Sequence, residues 1–236
     1  MYGKKLIQHN SAVESSDSYD RLLLNDQLGL PYMPDQKGVV STSHADRGEN
    51  PIVYLEVSSG GGRNLLGGIV TQPQILGRLY IELRKDLVPV AAANFMALCS
   101  GIRGWGEDGV NYCYKGIRIH RIVKDLLFQS GDLLDTKGDC SKSIYNNGGL
   151  FRDESFILRH TGAGCLSYCN RGPDTNGSLF QMSFTHTPDL DGRYVVFGCL
   201  ASQESYQTLS KINSYGTPWG EPKEEIRITD CGIAYP

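Results

Sequence analysis

The sequence predicts a mainly β fold, an eight-stranded antiparallel closed barrel capped by two α-helices. Two observations support this prediction: short runs of alternating apolar and polar residues recur between glycine-containing turns, and only two segments show helical spacing instead. The eight predicted strands are Ile52–Val57, Gly77–Leu83, Ile117–Val123, Leu126–Gly131, Gly164–Tyr168, Phe180–Phe184, Val195–Leu200 and Glu225–Asp230.

The two predicted helices would cover the ends of the barrel. Pro89 begins the first helix, because proline fits the first helical turn, and Gly101 ends it. The second helix is predicted from about Gln203 to Asn213. Residues at helical spacing predict that the first helix covers the barrel with one face: Ala92, Phe95, Met96 and Cys99.

Alternation also assigns side chains of the predicted strand near Phe180 to two faces. One face is apolar and is expected in the core, whereas the other is expected to face solvent. The core set is Phe180, Met182 and Phe184, and the set expected to face solvent is Leu179, Gln181 and Ser183.

Composition narrows the class of protein. The chain has 236 residues with a net charge of −3, which gives no electrostatic attraction to nucleic acid or to anionic membranes. No apolar run is long enough to span a bilayer, and the first residues turn polar before a signal-peptide core could form. The cysteine count of seven is odd and no CxxC pair occurs, so free thiols in a cytoplasmic or nuclear setting are expected.

The chain divides into two parts by composition. Residues 1–49 are polar and mixed, and they are expected to form an N-terminal extension that is partly disordered or draped on the domain. Residues 50–236 carry the periodic pattern and are expected to form the globular domain.

Motifs for several reaction types are lacking. The run Gly104–Gly109 fits GxGxxG, but it follows a helix rather than a strand, so a surface loop is the better interpretation. The sequence has no HExxH motif and no GxSxG elbow, and we expect neither a metal site nor a cofactor. Cys165 and Cys169 lie in an apolar run and are interpreted as small core residues.

Arg121 is the most informative charged residue. Alternation places it on one strand face with Ile117, Ile119 and Val123, where a half-desolvated guanidinium must find partners. Two interpretations stay open, a buried ion pair or a charge directed at a ligand. Gln129 follows eight residues later, across a turn, and could orient the guanidinium.

Several segments together resemble the cyclophilins, a family of peptidyl-prolyl cis-trans isomerases. The resemblance covers about residues 51–234, in the family's order. The segments that carry it are GRLYIELRKDLVPVAAANFMALCSG, YKGIRIHRIV, FQSGD, SIYNNGGLFRDESFILRHTGAGCLSYCNRGPDTNGSLFQMSF, DGRYVVFGCL and ITDCG. It implies that X–Pro bonds of peptides and proteins are the substrates, with an active groove on the outer face of the barrel.

The resemblance also implies roles for particular residues. Arg121 matches the catalytic arginine, Gln129 matches the amide that holds it, and His120 matches a groove position counted with the catalytic set. The backbone of Asn170 is expected to bind the peptide. Other positions that match the substrate-binding set are Leu126, Leu127, Cys169, Leu179, Gln181, Leu190 and Tyr194.

Departures from the family pattern predict reduced or narrowed activity. Gln181 stands where a pocket phenylalanine is usual, and Asp189 takes the tryptophan position tied to cyclosporin binding, so weak cyclosporin binding is expected. Arg171, with Asp139, is expected to restrict a neighbouring subsite. The alternative is a non-catalytic module that binds proline-containing peptides within a larger assembly.

The loop at residues 102–113 resembles that of the divergent-loop cyclophilins. These also carry cysteines that match Cys99 and Cys231, which could form a redox-switchable pair. Two buried thiols are the simpler interpretation.

Overall fold

The computed structural model of the chain describes residues 50–60 and 73–236, so the predicted extension, 1–49, lies outside the described residues. Within them, eight strands form one sheet in which every pairing is antiparallel. The strands are β1 (Ile52–Ser59), β2 (Gln74–Leu83), β3 (Arg121–Val123), β4 (Leu127–Ser130), β5 (Cys165–Tyr168), β6 (Phe180–Ser183), β7 (Val196–Leu200) and β8 (Ile226–Tyr235). The predicted mainly β fold is confirmed.

The two edges of this sheet are joined by the segment that leads into β3. The strand order is β3-β4-β6-β5-β7-β2-β1-β8, so β3 and β8 are the edges. The Gly116 N–H donates to the Ile228 carbonyl at 2.7 Å, and the Ile119 N–H donates to the Ile226 carbonyl at 2.9 Å. The Ile228 N–H donates in return to Ile117 at 2.9 Å. The sheet therefore curls until its edges meet through backbone hydrogen bonds.

This junction corrects one prediction from alternation. Ile117 and Ile119 are buried as expected, but the next buried residue is Ile122, and Arg121 is exposed. The chain leaves its pairing with β8 after Ile119 and begins to pair with β4 at Arg121, opposite Gln129. The change of partner shifts the inside–outside alternation by one residue, so Arg121 does not share the face of the two isoleucines.

Helix α1 (Pro89–Ser100) begins and ends as predicted, but it is buried on all sides. Every residue from Ala91 to Cys99 is buried. The far side is covered by a loop, where the Ile144 N–H donates to Asn94 Oδ1 at 2.9 Å. The Glu154 carboxylate accepts hydrogen bonds from the first free N–H groups of the helix. The prediction of a single covering face was therefore wrong.

Helix α2 (Gln203–Ser214) matches its predicted bounds and lies on β2. The side chain of Ser202 accepts a hydrogen bond from the Ser205 N–H at its start, as an N-cap residue should. Its buried face includes Leu209 and Ile212. Neither helix in the described part of the chain is long and apolar enough to cross a membrane.

The core is centred on a cluster of aromatic rings. The ring centroid of Phe95 on α1 lies 5.1 Å from that of Tyr114 and 5.2 Å from those of Phe180 and Phe197. All four side chains are fully buried. Aromatic pairs at these separations add to the stability supplied by burial alone, so α1, β6 and β7 are fixed relative to one another.

The cysteines are all free thiols. The sulfur atom that contacts Cys231 belongs to Cys113, at 3.9 Å, whereas Cys99 is buried in α1. The hydrogen bond from Cys231, together with the N–H and charge of Lys115, lowers the pKa of Cys113 to about 6, although burial opposes the shift. Cys113 is therefore the thiol neighbour of Cys231, and the lowered pKa favours its thiolate form.

This environment predicts selective alkylation of Cys113. At pH 7, iodoacetamide should modify Cys113 roughly fivefold or more faster than Cys140, because burial raises the pKa of Cys140. The rate at Cys113 should fall as the pH drops through about 6, where its thiolate is protonated. Peptide mass spectrometry after timed alkylation measures both rates.

Variants of the two neighbouring cysteines provide the comparison. Cys231→Ala removes the hydrogen bond and should move the alkylation midpoint of Cys113 upward, whereas Cys99→Ala should leave it in place. A midpoint near the ordinary cysteine value in the wild-type chain would contradict the assignment.

Candidate active site

A row of polar side chains crosses four neighbouring strands. Arg121 on β3 is opposite Gln129 on β4, Gln129 is opposite Gln181 on β6, and Gln181 is opposite Ser167 on β5. Directly opposed residues of neighbouring strands place their side chains on the same face. We call these four residues the cross-strand row. It connects an exposed arginine to a fully buried serine.

Arg121 stands at the exposed end of the row. Its side chain makes no hydrogen bond or ion pair with another described residue. Gly220 packs against its stem in a left-handed conformation (φ +91°), and a Cβ there would lie 2.9 Å from Cγ and Nε of Arg121. Only glycine therefore allows this approach. Of the two interpretations that the sequence leaves open, the geometry favours a charge directed at a ligand.

Gln129 lies beside Arg121 and is partly buried. Its Nε2 donates to Oε1 of Gln181 at 3.3 Å. Its own Oε1 accepts no hydrogen bond from another described residue, so one acceptor remains free next to the guanidinium. The structure thus brings the predicted arginine and amide together.

Gln181 corrects the second prediction from alternation. The three residues expected to face solvent, Leu179, Gln181 and Ser183, are only 8%, 3% and 2% exposed. Loops cover the outer face of β6: Ser183 Oγ donates to the carbonyl of Gly162 at 2.7 Å, and the thiol of Cys169 donates to Oε1 of Gln181 at 3.6 Å. Strand alternation therefore predicted correctly that these three side chains share one face of β6, but it did not predict that this face is buried.

Ser167 connects the row to His160 and Asp191, and the sequence analysis missed all three residues. Gln181 Nε2 donates to Ser167 Oγ at 3.2 Å, and Ser167 Oγ lies 2.9 Å from Nε2 of His160. Nδ1 of His160 lies 2.9 Å from the Asp191 carboxylate. Burial lowers the pKa of His160, although Asp191 opposes the shift. No spacing rule connects these three residues along the chain, so the sequence holds no signal for the contact.

The remaining groove positions differ in how much surface they present. Leu126 is 42% exposed, whereas Leu127 is 7% exposed and offers little surface to a ligand. Leu190 and Tyr194 are both half-buried, and the Tyr194 N–H donates to the Leu190 carbonyl at 3.3 Å. Burial raises the pKa of the Cys169 thiol to about 12, so this cysteine stays protonated.

Asn170 lies in a loop that its own side chain fixes. Its side-chain Nδ2 donates to the carbonyl of Arg193 at 2.8 Å, which fixes the loop. Its backbone N–H and C=O bind no other described residue and remain available to an extended peptide.

His120 lies beside the cross-strand row rather than in it. Its ring packs against Gly138, where a Cβ would lie 2.8 Å from Nε2. Burial lowers the pKa of His120, and its buried Nδ1 has no partner among the described residues. With Arg121 and Gln129 it lines an open cavity of about 830 Å³, which the exposed Trp219 also lines.

The two expected subsite residues meet at the surface. Arg171 Nη2 lies 3.2 Å from the Asp139 carboxylate and donates to the Asp139 carbonyl at 3.2 Å. Both side chains are largely exposed. An exposed ion pair of this kind is weak and rearranges easily, so it can yield to a charged client.

In chemical terms the site offers directed hydrogen bonds and no nucleophile. The described residues hold no group of three or more histidine, cysteine, aspartate or glutamate side chains arranged for a metal ion. What they present is an exposed guanidinium, a free amide oxygen beside it and unpaired backbone groups across the groove. Such a site can bind an extended peptide and donate to one of its amide atoms.

These features define a protein with a curled β-barrel. A groove suited to a peptide lies outside the barrel, and an arginine stands in that groove. The family model for cyclophilin type peptidyl-prolyl cis-trans isomerases matches residues 69–233. The chain belongs to this family, and the resemblance noted from its segments is confirmed.

Similar proteins include the NK-tumor recognition proteins of Mus musculus and Homo sapiens. Each is 41% identical to this chain over 160 residues. The match covers 67% of this chain but only 11% of each relative. The similarity therefore concerns one domain of much longer proteins.

The Arg171–Asp139 pair predicts a charge-dependent subsite, which we propose lies two or three residues before the client proline. Arg171→Ala leaves Asp139 unpaired and should shift the preference at those positions toward basic side chains, by up to about fivefold in kcat/KM. Asp139→Ala should shift it toward acidic side chains. Profiling a peptide library with both variants measures the shifts. Unchanged profiles in both would rule the subsite out.

Proposed function

We propose that this chain catalyses cis-trans isomerisation of X–Pro bonds in client peptides and proteins, with reduced or narrowed activity and with Arg121 as the catalytic group. The observation that carries the proposal is the placement of Arg121: exposed, without an acidic partner among the described residues, and directly opposite Gln129. A guanidinium held in this way is available to the substrate.

The chemistry requires only a donor placed at the prolyl nitrogen. The barrier to rotation is about 18–20 kcal/mol, because conjugation gives the C–N bond partial double-bond character. Rotation makes the nitrogen pyramidal and more basic, so a hydrogen bond from Arg121 strengthens as the bond twists. An interaction that is stronger in the transition state than in the ground state accelerates the reaction.

The structure supports reduced activity through the groove wall. A pocket that holds a proline ring gains from apolar contact, whereas Gln181 presents an amide and is itself buried. Replacing an aromatic wall by an amide costs about 1–2 kcal/mol of proline binding. That corresponds to roughly a tenfold loss in affinity for the client.

A second candidate is a non-catalytic module that binds proline-containing segments within a larger assembly. The same groove wall favours this candidate. Leu127 and Gln181 expose little surface to a proline ring, so an enzyme built on this wall would be slow or selective. Under either function the clients are peptides and proteins. We also propose that the chain acts in the cytoplasm or nucleus, and its free cysteines support this proposal.

Substitution of Arg121 separates the two candidates. In a protease-coupled isomerisation assay, Arg121→Ala should lower kcat/KM by roughly 10²- to 10³-fold, as expected on loss of one transition-state donor. Arg152→Ala is the matched control, because Arg152 is an exposed arginine outside the row and the cavity. Equal rates for the wild type and Arg121→Ala would leave only peptide binding.

Cyclosporin binding should be weak and should respond to Asp189. Asp189 is exposed in the short 3₁₀ turn Pro188–Leu190 and offers a charge where an indole would cover an apolar ligand. We expect Asp189→Trp to tighten cyclosporin binding by tenfold or more, on the order of 1.5–3 kcal/mol of apolar burial. Glu204→Trp on α2 is the control. Calorimetry measures both, and tight binding by the wild type would contradict the expectation.

A further inference from the structure

Gln181 does more than line the groove, because its amide links Gln129 to a buried chain of hydrogen bonds. The chain runs from Gln129 through Gln181 and Ser167 to His160 and Asp191. Gln181, Ser167 and His160 are each at most 3% exposed, so water cannot replace a missing partner. Each donor in the chain must therefore face an acceptor.

The direction of the chain is set at Asp191. A carboxylate can only accept, so the ring proton of His160 lies on Nδ1, which faces Asp191 at 2.9 Å. The Asp191 carboxylate also accepts from the His160 backbone N–H at 2.8 Å. His160 is neutral because burial lowers its pKa. Its Nε2 is then an acceptor, and the Ser167 hydroxyl donates to it.

The direction is passed on to both glutamines. Ser167 Oγ has given its proton to His160, so it accepts from Nε2 of Gln181 at 3.2 Å. Oε1 of Gln181 must then face the groove, where it accepts from Nε2 of Gln129 and from the Cys169 thiol. This leaves Oε1 of Gln129 without a donor among the described residues, on the residue directly opposite Arg121.

We propose that Gln181 is a positioning residue: through the buried relay from Asp191 it fixes the orientation of the Gln129 amide, and so decides whether Gln129 offers an acceptor or a donor to the Arg121 guanidinium during turnover. The inference rests on the proposed isomerase function for its kinetic consequence, but the relay itself exists in the folded chain whether or not that function holds. The amide that weakens the apolar wall of the groove is then also the support of the catalytic arginine.

Acid should reverse the relay. When His160 is protonated, both ring nitrogens donate, and Ser167 can no longer donate to Nε2. Ser167 then donates toward Gln181, both amides turn over, and Gln129 presents its NH₂ group to Arg121, which cannot accept. The charged group that faces His160 is Asp191, on which Arg159 also acts. We expect kcat to fall as the pH drops below the ordinary histidine range.

The kinetics of two variants show whether Gln181 positions Gln129 or only contacts the client proline. Gln181→Leu cuts the relay and makes the groove more apolar, so kcat should fall roughly tenfold while KM is unchanged or lower. Ser167→Ala cuts the relay at a residue that is fully buried and cannot touch the client. It should also lower kcat and remove the acid limb. The double variant should be no slower than Gln181→Leu alone.

Ser183→Ala is the matched control for loss of a buried hydroxyl. Ser183 lies on the same strand and is 2% exposed, but it donates to Gly162 and stands outside the relay. It should keep the wild-type kcat and pH profile. Circular dichroism and thermal unfolding of every variant show whether the fold is kept.

A readout without catalysis decides the inference independently. In NMR spectra of the full chain, the side-chain amide signals of Gln129 should shift with pH in step with the ring of His160. In Gln181→Leu the ring should still titrate while the Gln129 signals stay constant. Gln129 signals that ignore His160 in the wild type, or a Gln181→Leu enzyme with undiminished kcat, would overturn the relay. Equal rates for wild type and Arg121→Ala would instead remove the proposed isomerase function, and the NMR result would still stand.

Discussion

The register of β3 against β4 is the constraint on which the site depends. It sets Arg121 opposite Gln129 and, through β6 and β5, aligns Gln181 and Ser167 in the same row. A slip of one residue would turn every side chain of β3 to the other face. The register is held from both ends, because residues 116–119 bond to β8 and the Ile122 N–H donates to the Gly220 carbonyl at 2.8 Å. Closure of the barrel thus keeps Arg121 on the outer surface, while its neighbour Ile122 packs in the core.

Burying an amide at the base of a proline groove creates a requirement that an aromatic ring would not. An unsatisfied amide in a dry site costs about 1–3 kcal/mol, so both Oε1 and Nε2 of Gln181 need hydrogen-bond partners. The structure matches them with Gln129, Cys169 and Ser167, and the last of these connects to His160. A hydrogen-bonded polar network is rigid and directional in a way that an apolar wall is not. Gln181 therefore has two effects: it removes apolar surface from the proline pocket, and it orients the amide of Gln129.

Local pattern predicted the elements well, because strand alternation and helix boundaries are encoded within a few neighbouring residues. The local pattern failed where a segment distant in sequence decides which side chains are buried. The face predicted for Arg121 was wrong because the chain changes strand partner after Ile119. The exposure predicted for Gln181 was wrong because the segments that cover its face of the strand are distant in sequence. The predicted arginine and amide were identified by resemblance, whereas Ser167, His160 and Asp191 come together only through folding. The neighbour of Cys231 is likewise set by tertiary packing.

The balance between catalysis and binding follows from which interactions this groove keeps. Contacts with the proline ring act alike on the ground state and the transition state, so weakening them raises KM without changing the chemical step. Under the proposed isomerase function, a hydrogen bond from Arg121 to the prolyl nitrogen would act mainly on the twisted bond, so keeping it would preserve kcat. A pure binding module would need no oriented donor. Here Gln181 is buried and polar, while Arg121 is exposed with the free acceptor of Gln129 beside it. Under the proposed isomerase function, that combination favours turnover of the client over tight retention.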